Sequence, residues 1–170
     1  QDAYTPAIPP VTDVTARDGN PYDPPCLWVD TFKAIEEAQK FIYVAGWAVW
    51  TDLHLLRDPE TGHLGELLVR KAEEGVRVLV MVWDEAMSTD VYPCGLMGTH
   101  DEATQKYFGN TKVEVFLAPR QKNKAKLLER NWVGTTYTHH QKCVLVDGPI
   151  EGDSTRRRLK AFVGGIDLTD

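Results

Sequence analysis

Cysteine is scarce in this sequence, with three residues, Cys26, Cys94 and Cys143, in a chain of 170. Three scattered cysteines are too few for a disulfide framework and lack the spacing of a cysteine zinc site. Long apolar runs are missing too, because no stretch approaches the ~20 residues that a membrane-spanning helix needs. These absences argue against a disulfide scaffold and a spanning helix, and they favour a reducing compartment such as the cytoplasm.

Positive charge is in short supply over the whole chain, whose net charge is −6 at pH 7. Residues 120–160 nevertheless hold ten lysines and arginines against four acidic residues, mainly in "RQKNKAKLLER" (120–130) and "RRRLK" (156–160). Two interpretations stay open for this basic segment. It forms solvated loops, or it faces an anionic partner such as phosphate or a membrane surface.

Prolines crowd the first 25 residues, where they preclude a long helix or a central strand: Pro6, Pro9, Pro10, Pro21, Pro24 and Pro25. We therefore expect an irregular, proline-rich lead-in over residues 1–25. Hydrophobic residues make up 42% of the chain and include five tryptophans. This content predicts one folded domain with a sizeable core over residues 26–170.

Hydrophobic periodicity predicts an α/β fold. The predicted helices run from Asp30 to about Gln39, over 64–75, and from a Thr99–Glu102 capping box to about Phe108. The predicted strands cover 41–49, 76–83, 113–118, 142–146 and 161–165. Helices that alternate with apolar strands predict a layered sheet covered on both faces.

The stretch "THHQKCVLVD" (138–147) carries the candidate chemistry. Burying Lys142 costs several kcal/mol unless an opposite charge meets it. Because alternate residues of a strand point the same way, His140 and Lys142 should share a face. An imidazole nucleophile beside an ammonium suits attack on a bound anion, and phosphate fits that description. A metal fits less well, since lysine is a poor ligand and no carboxylate lies at ligand spacing.

Asp147 and the pair Gly164 and Gly165 are further candidates. In a regular strand Asp147 lies on the face opposite His140, but Gly148-Pro149 predicts a turn there. From that turn Asp147 would orient a histidine, or it would pair with a base elsewhere. The two glycines let backbone come close to a ligand, or they merely form a tight turn.

Other conspicuous residues favour structural roles. His139 faces away from His140, and His100 lies in the first turn of a predicted helix. The tryptophans spread over predicted helix and strands are interpreted as core residues: Trp28, Trp47, Trp50 and Trp83.

The spacing H-x-K-x-x-x-x-D followed by G-G resembles the phospholipase D superfamily, and in particular its plant-type, calcium-dependent members. The resemblance covers most of the chain, around the first of that family's two motifs. The similar stretches are "FIYVAGWAVWTDLHLLRD", "GELLVRKAEEGVRVLVMVWDE", "GLMGTHDEAT", "THHQKCVLVD" and "FVGGIDLTD". The resemblance implies a layered α/β/α sandwich with a mixed, largely buried sheet, as the first half of a two-motif catalytic region.

The resemblance also implies a phosphodiesterase that works through a phosphohistidine. His140 would be the nucleophile or its acid/base partner, Lys142 would bind phosphate oxygens, and Asp147 would help to hold the site in place. Gly164 and Gly165 would lie at the substrate. Members of the family cleave phosphatidylcholine and similar lipids to phosphatidate and a free alcohol, or transfer the phosphatidyl group to another alcohol.

Calcium is the cofactor that the resemblance implies, with Asp2 of the opening "QDAYTP" as one ligand, although Tyr4 stands where a histidine is expected. The 120–134 loop also looks more basic than the family's. Because the chain holds one HxK motif where the family uses two, we expect a longer polypeptide whose C-terminal half supplies the second. We further expect a cytoplasmic protein that meets its phospholipid substrate at a membrane surface, with no nucleic acid partner.

Two alternatives stay open. Another phosphodiesterase of the superfamily, such as a nuclease or a phospholipid synthase, would also suit the basic 120–160 segment. A non-catalytic module that binds anionic lipid would keep the same site geometry without turnover.

Overall fold

The structure of the chain, a computed structural model, describes residues 13–22, 25–56, 61–85, 88, 91, 93–119, 138–150 and 152–169. Its elements in chain order are α1 (Leu27–Glu37), β1 (Phe41–Gly46), α2 (Leu64–Glu73), β2 (Arg77–Trp83), α3 (Asp101–Phe108), β3 (Glu114–Ala118), β4 (Cys143–Ile150) and β5 (Asp153–Val163). In these ranges no helix is long and apolar enough to span a membrane.

The five strands form one mixed sheet in the order β3-β2-β1-β4-β5. Strands β1, β2 and β3 run parallel, whereas β4 is antiparallel to both β1 and β5. Ile42 on the central strand lies between Val78 and Val146, so one apolar row crosses three strands on the same face. The predicted α/β fold with a mixed sheet is confirmed.

Three helices cover one face of this sheet. Helix α1 contacts β4, α2 contacts β2 and α3 contacts β3, while α2 also touches both other helices. Each helix buries one large apolar side chain almost completely: Ile35 of α1, Leu68 of α2 and Phe108 of α3. Burying a side chain of this size contributes about 1.5–3 kcal/mol, so this layer supplies much of the stability.

The other face of the sheet is more open. The strand residues in the core cluster all come from the helix-covered face. On the opposite face Tyr43 and Leu145 are half-buried, and Phe116 and Val163 are 60% and 77% exposed. Among the described elements, the helical layer therefore lies on one side of the sheet.

Two predicted boundaries near the candidate site differ from the structure. Gly148 and Pro149 lie within β4 rather than in a turn, because they pair with Arg158 and Arg157 of β5. The basic "RRRLK" (156–160) is likewise part of β5 and not a loop. The charged residues of this segment have a low intrinsic preference for strands, but antiparallel pairing with β4 outweighs that preference.

Two predicted helix caps are also wrong. Helix α1 begins at Leu27, which leaves Asp30 in its first turn. The residue before α3 is His100, in a left-handed conformation with φ 56°. Thr99 does not cap this helix, because its hydroxyl lies between the buried carboxylates of Glu85 and Asp101.

Candidate active site

Lys142 is buried immediately before β4, at the edge of the sheet where β1 ends. Its Nζ lies 2.8 Å from Oδ2 of Asp167, and these two side chains are 6% and 10% exposed. No described acceptor is aligned for a hydrogen bond with Nζ, so the contact is an ion pair with ammonium donors to spare. The opposite charge that a buried lysine requires is therefore Asp167.

Asp167 is the site residue that sequence reasoning missed. Its Oδ1 accepts hydrogen bonds from the backbone N–H groups of Trp47 at 2.8 Å and Ala48 at 3.1 Å. Gly46 is required by the turn that presents these N–H groups, since a Cβ at that position would lie 2.8 Å from the carbonyl oxygen of Ala48 and from Cγ2 of Val49. The signal was available in the sequence: a carboxylate follows Gly164-Gly165 by two residues, close to where a buried lysine needs an anion.

His140 precedes β4 by three residues, and its side chain is exposed. The imidazole ring meets the indole of Trp47 edge to face, with 6.1 Å between ring centroids. Nζ of Lys142 lies 6.0 Å from the centroid of the same indole. His140 and Lys142 thus lie beside the same indole ring, but not on the shared strand face that the HxK spacing predicted, because both residues precede β4.

Gly164 and Gly165 line a cavity of about 110 Å³ beside Lys142 and Asp167. No described atom lies within 4 Å of a Cβ built on either glycine, so open space surrounds both positions and no close contact among the described residues requires glycine there. The rest of the lining is largely apolar, with Trp28 and Phe162 among its residues. Substrate binding at the two glycines stays a prediction.

Asp147 lies at the far end of the sheet, away from His140 and Lys142. Its Oδ1 accepts backbone N–H groups of Lys40 at 2.7 Å and Phe41 at 3.0 Å, at the start of β1. Its Oδ2 accepts from Nε of Arg157 at 2.7 Å. Of the two roles considered for Asp147, pairing with a base elsewhere is the one that the structure describes.

The hydrogen bonds of Asp147 control its ionisation. Burial raises the pKa of this carboxyl, but the N–H groups of Phe41 and Lys40 and the Arg157 side chain outweigh burial and lower the pKa overall. The charged form is therefore the one that binds β4 to the α1–β1 connection and to β5.

The calcium ligand expected from the resemblance, Asp2, lies outside the described residues. Within the ranges that are described, no group of three or more histidine, cysteine or acidic side chains could hold a metal ion. Of the other described histidines, His54 contacts His63 with 4.1 Å between ring centroids, and His100 stacks on Trp50. His139, next to His140 in the chain, is half-buried.

The family model and the curated relatives that match this chain carry the same family name. The family model described as phospholipase D matches residues 34–170. "Phospholipase D alpha 1" of Ricinus communis is 45% identical over 99% of this chain, and "Phospholipase D alpha 3" of Arabidopsis thaliana is 44% identical over all of it. The chain spans about a fifth of the length of these curated relatives, 21% and 22%.

Among solved structures, NucT from Helicobacter pylori is similar with a TM-score of 0.39 and 12% identity, over 78% of this chain and 74% of that one.

Removing the charge of Asp167 should destabilise the fold. Asp167→Asn keeps an oxygen for the Trp47 and Ala48 N–H groups but leaves Lys142 buried without a counter-charge, which costs about 3–5 kcal/mol. Urea denaturation should show this loss, and the double variant Lys142→Met/Asp167→Asn should recover part of it. Glu114→Gln, which removes an exposed carboxylate 3.9 Å from Arg77, is the control. An Asp167→Asn variant as stable as Glu114→Gln would contradict the buried ion pair.

Asp147→Asn should lower stability at neutral pH by about 1.5–3 kcal/mol, because charge-assisted hydrogen bonds are lost. The pKa of folded Asp147 lies below the unfolded value of ~3.9, so its stabilisation is complete at neutral pH and disappears as pH falls through the folded-state pKa. Denaturation midpoints between about pH 7 and pH 2 should therefore fall less steeply in Asp147→Asn than in wild type. Equal acid sensitivity in the two proteins would show that Asp147 is not stabilised as an anion.

Proposed function

The chain belongs to the phospholipase D family, and from that premise we propose that it forms part of the catalytic domain of a phospholipid phosphodiesterase. The proposed reaction converts phosphatidylcholine or a similar lipid to phosphatidate and a free alcohol. With another alcohol in place of water, the same site would transfer the phosphatidyl group.

One observation carries this proposal: an exposed imidazole and a buried, ion-paired ammonium meet the same indole ring. An exposed His140 can reach a substrate, while the buried Lys142 presents its remaining N–H donors from a fixed place. Phosphate oxygens accept such charge-assisted hydrogen bonds. A fixed donor stabilises the charge that develops on phosphoryl oxygens during attack.

In the proposed first step an imidazole nitrogen of His140 attacks phosphorus and forms a P–N bond, while the bond to the head-group oxygen breaks. The departing alkoxide takes a proton from an acid on the other side of phosphorus. Water then attacks the phosphohistidine, gives up a proton to the same group, and releases phosphatidate and free His140. His140 would instead be that acid if the partner histidine attacks.

The acid/base partner is proposed to come from the C-terminal half of the same polypeptide, as a second HxK motif. No described contact brings His54, His63 or His100 to the ring of His140. The small share of the relatives' length that the chain spans is consistent with a second motif outside it. An isolated 170-residue chain should therefore not hydrolyse phosphatidylcholine.

We also propose that calcium is a cofactor, with Asp2 as the one ligand that this chain supplies. A carboxylate oxygen is a ligand that calcium prefers, and the ion needs six to eight oxygens. The described residues do not build such a set, so the remaining ligands would come from other parts of the polypeptide. We likewise propose a cytoplasmic location with peripheral attachment to the membrane that holds the lipid.

A nuclease or a phospholipid synthase is less well supported than a lipid hydrolase. Two of the basic residues of β5 are already paired, Arg157 with Asp147 and Lys160 with Glu37. This pairing reduces the positive charge that β5 offers to a nucleic acid backbone. A non-catalytic lipid-binding module would keep the ion pair but show no turnover.

His140→Ala in the full-length protein should lower hydrolysis of phosphatidylcholine vesicles by at least about a thousandfold, because it removes a covalent step. Mass spectrometry of an acid-labile phosphatidyl adduct on the His140 peptide, with the reaction stopped early, should detect the intermediate in wild type alone if His140 is the nucleophile. His100→Asn is the matched control, since asparagine tolerates the left-handed backbone at that position.

Hydrolysis by His140→Ala above about a tenth of wild type, with unchanged circular dichroism, would refute both roles of His140, since it corresponds to less than ~1.4 kcal/mol of barrier. The alternatives separate in parallel assays of the wild-type protein. Cleavage of single-stranded DNA without lipid hydrolysis would indicate a nuclease, and vesicle binding without any turnover would indicate a binding module.

A further inference from the structure

Trp47 follows β1 directly, at the edge of the sheet that carries Lys142. Its indole stacks on Trp83, with 5.9 Å between ring centroids and 15° between the ring planes. Trp83 is completely buried, whereas Trp47 is half-buried. One side of Trp47 is thus anchored in the core, and the rest of the ring extends toward the candidate active site.

Three further described contacts of Trp47 involve that site. Its ring meets the imidazole of His140 at 62° and lies 6.0 Å from Nζ of Lys142. Its backbone N–H donates to Asp167, the carboxylate that pairs with Lys142. Sequence reasoning interpreted Trp47 as a core residue, but the core interpretation accounts for the Trp83 contact alone.

We propose that Trp47 is a positioning residue, whose indole fixes the separation and orientation of His140 and Lys142. This inference rests on the proposed phosphodiesterase function and adds a residue to its site. Trp47 touches the two reacting side chains and has no assigned contact with the substrate, so it acts through them.

The need for such a residue follows from the backbone. His140 and Lys142 both precede β4, so strand pairing does not fix the two side chains. A histidine side chain before the strand has rotamers that point elsewhere. The edge-to-face contact with Trp47 selects one rotamer of His140. The cation–π contact with the same indole selects one rotamer of Lys142. Because a displacement of about 1 Å can cost a hundredfold in rate, loss of this contact should affect turnover more than binding.

Trp50 is a matched control within the same segment. It lies three residues after Trp47, is also half-buried, and also stacks on a histidine, with 5.5 Å between its centroid and that of His100. No described contact joins Trp50 to His140 or Lys142. A general loss of packing should therefore affect Trp50→Leu and Trp47→Leu alike, whereas loss of positioning should affect Trp47→Leu alone.

The first test measures kcat and KM of the full-length protein on phosphatidylcholine vesicles. Trp47→Leu should lower kcat about a hundredfold and leave KM within about threefold of wild type. Trp47→Phe keeps a ring and should lose about tenfold in kcat. Trp50→Leu should keep kcat within about threefold of wild type.

The second test does not need activity. Acetic anhydride at limiting concentration modifies accessible lysine amines, and mass spectrometry of the Lys142 peptide reports the rate. Lys142 should react slowly in wild type and Trp50→Leu, and at least about tenfold faster in Trp47→Leu, because the indole no longer covers the ammonium.

The outcomes separate the two proposals. An inactive wild type would end the proposed function, while the lysine modification would still test the position of Trp47. An active wild type with equal kcat in Trp47→Leu and Trp50→Leu, or unchanged Lys142 reactivity, would overturn the role of Trp47. If Trp47→Leu does not fold, Trp47→Phe decides by the same two measurements.

Discussion

The ion pair between Lys142 and Asp167 joins three segments at one edge of the sheet. Lys142 enters β4, Asp167 follows β5, and the carboxylate also accepts backbone N–H groups after β1. A buried ammonium requires an opposite charge, and a buried carboxylate requires several donors, so neither residue could occupy this place without the other. The glycine pair and the cavity lie beside this ion pair, and His140 contacts the same indole, Trp47, as Lys142.

Buried carboxylates that bind backbone amides recur through the rest of the domain. Asp147 binds three consecutive N–H groups at 39–41. Asp101 accepts the N–H of Glu85, and Glu85 in turn accepts that of Leu96. Gly95 suits this place, because its φ of +71° lies in the left-handed region that favours glycine and a Cβ would approach the Glu85 carboxylate. Part of the acidic charge of the chain therefore orders its connections and does not repel neighbours at the surface.

Sequence reasoning succeeded where a pattern is local. The apolar runs of β1 and β2 and the apolar stripes of α1 and α2 are recognisable in the sequence, because burial on one face of an element repeats apolar residues with a fixed period. It failed where the partner is remote. The Asp147 carboxylate binds amides about 108 residues earlier in the chain, and nothing near Asp147 indicates them. Strand β5 was missed over 153–160 because charged residues hide its period, while pairing with β4 determines its structure.

The site illustrates the same limit. His140 and Lys142 were expected to share a face through the pleat of a strand, yet both precede β4 and meet through Trp47 instead. The HxK spacing brings two side chains within reach of each other, but tertiary contacts choose their geometry. Because a carboxylate lies 2.8 Å from the Lys142 ammonium, the two charges largely cancel at distances much longer than their separation. Salt screens what remains beyond a Debye length of ~10 Å. An anion at this site would therefore be recognised by hydrogen bonds at contact, and much less by attraction from a distance.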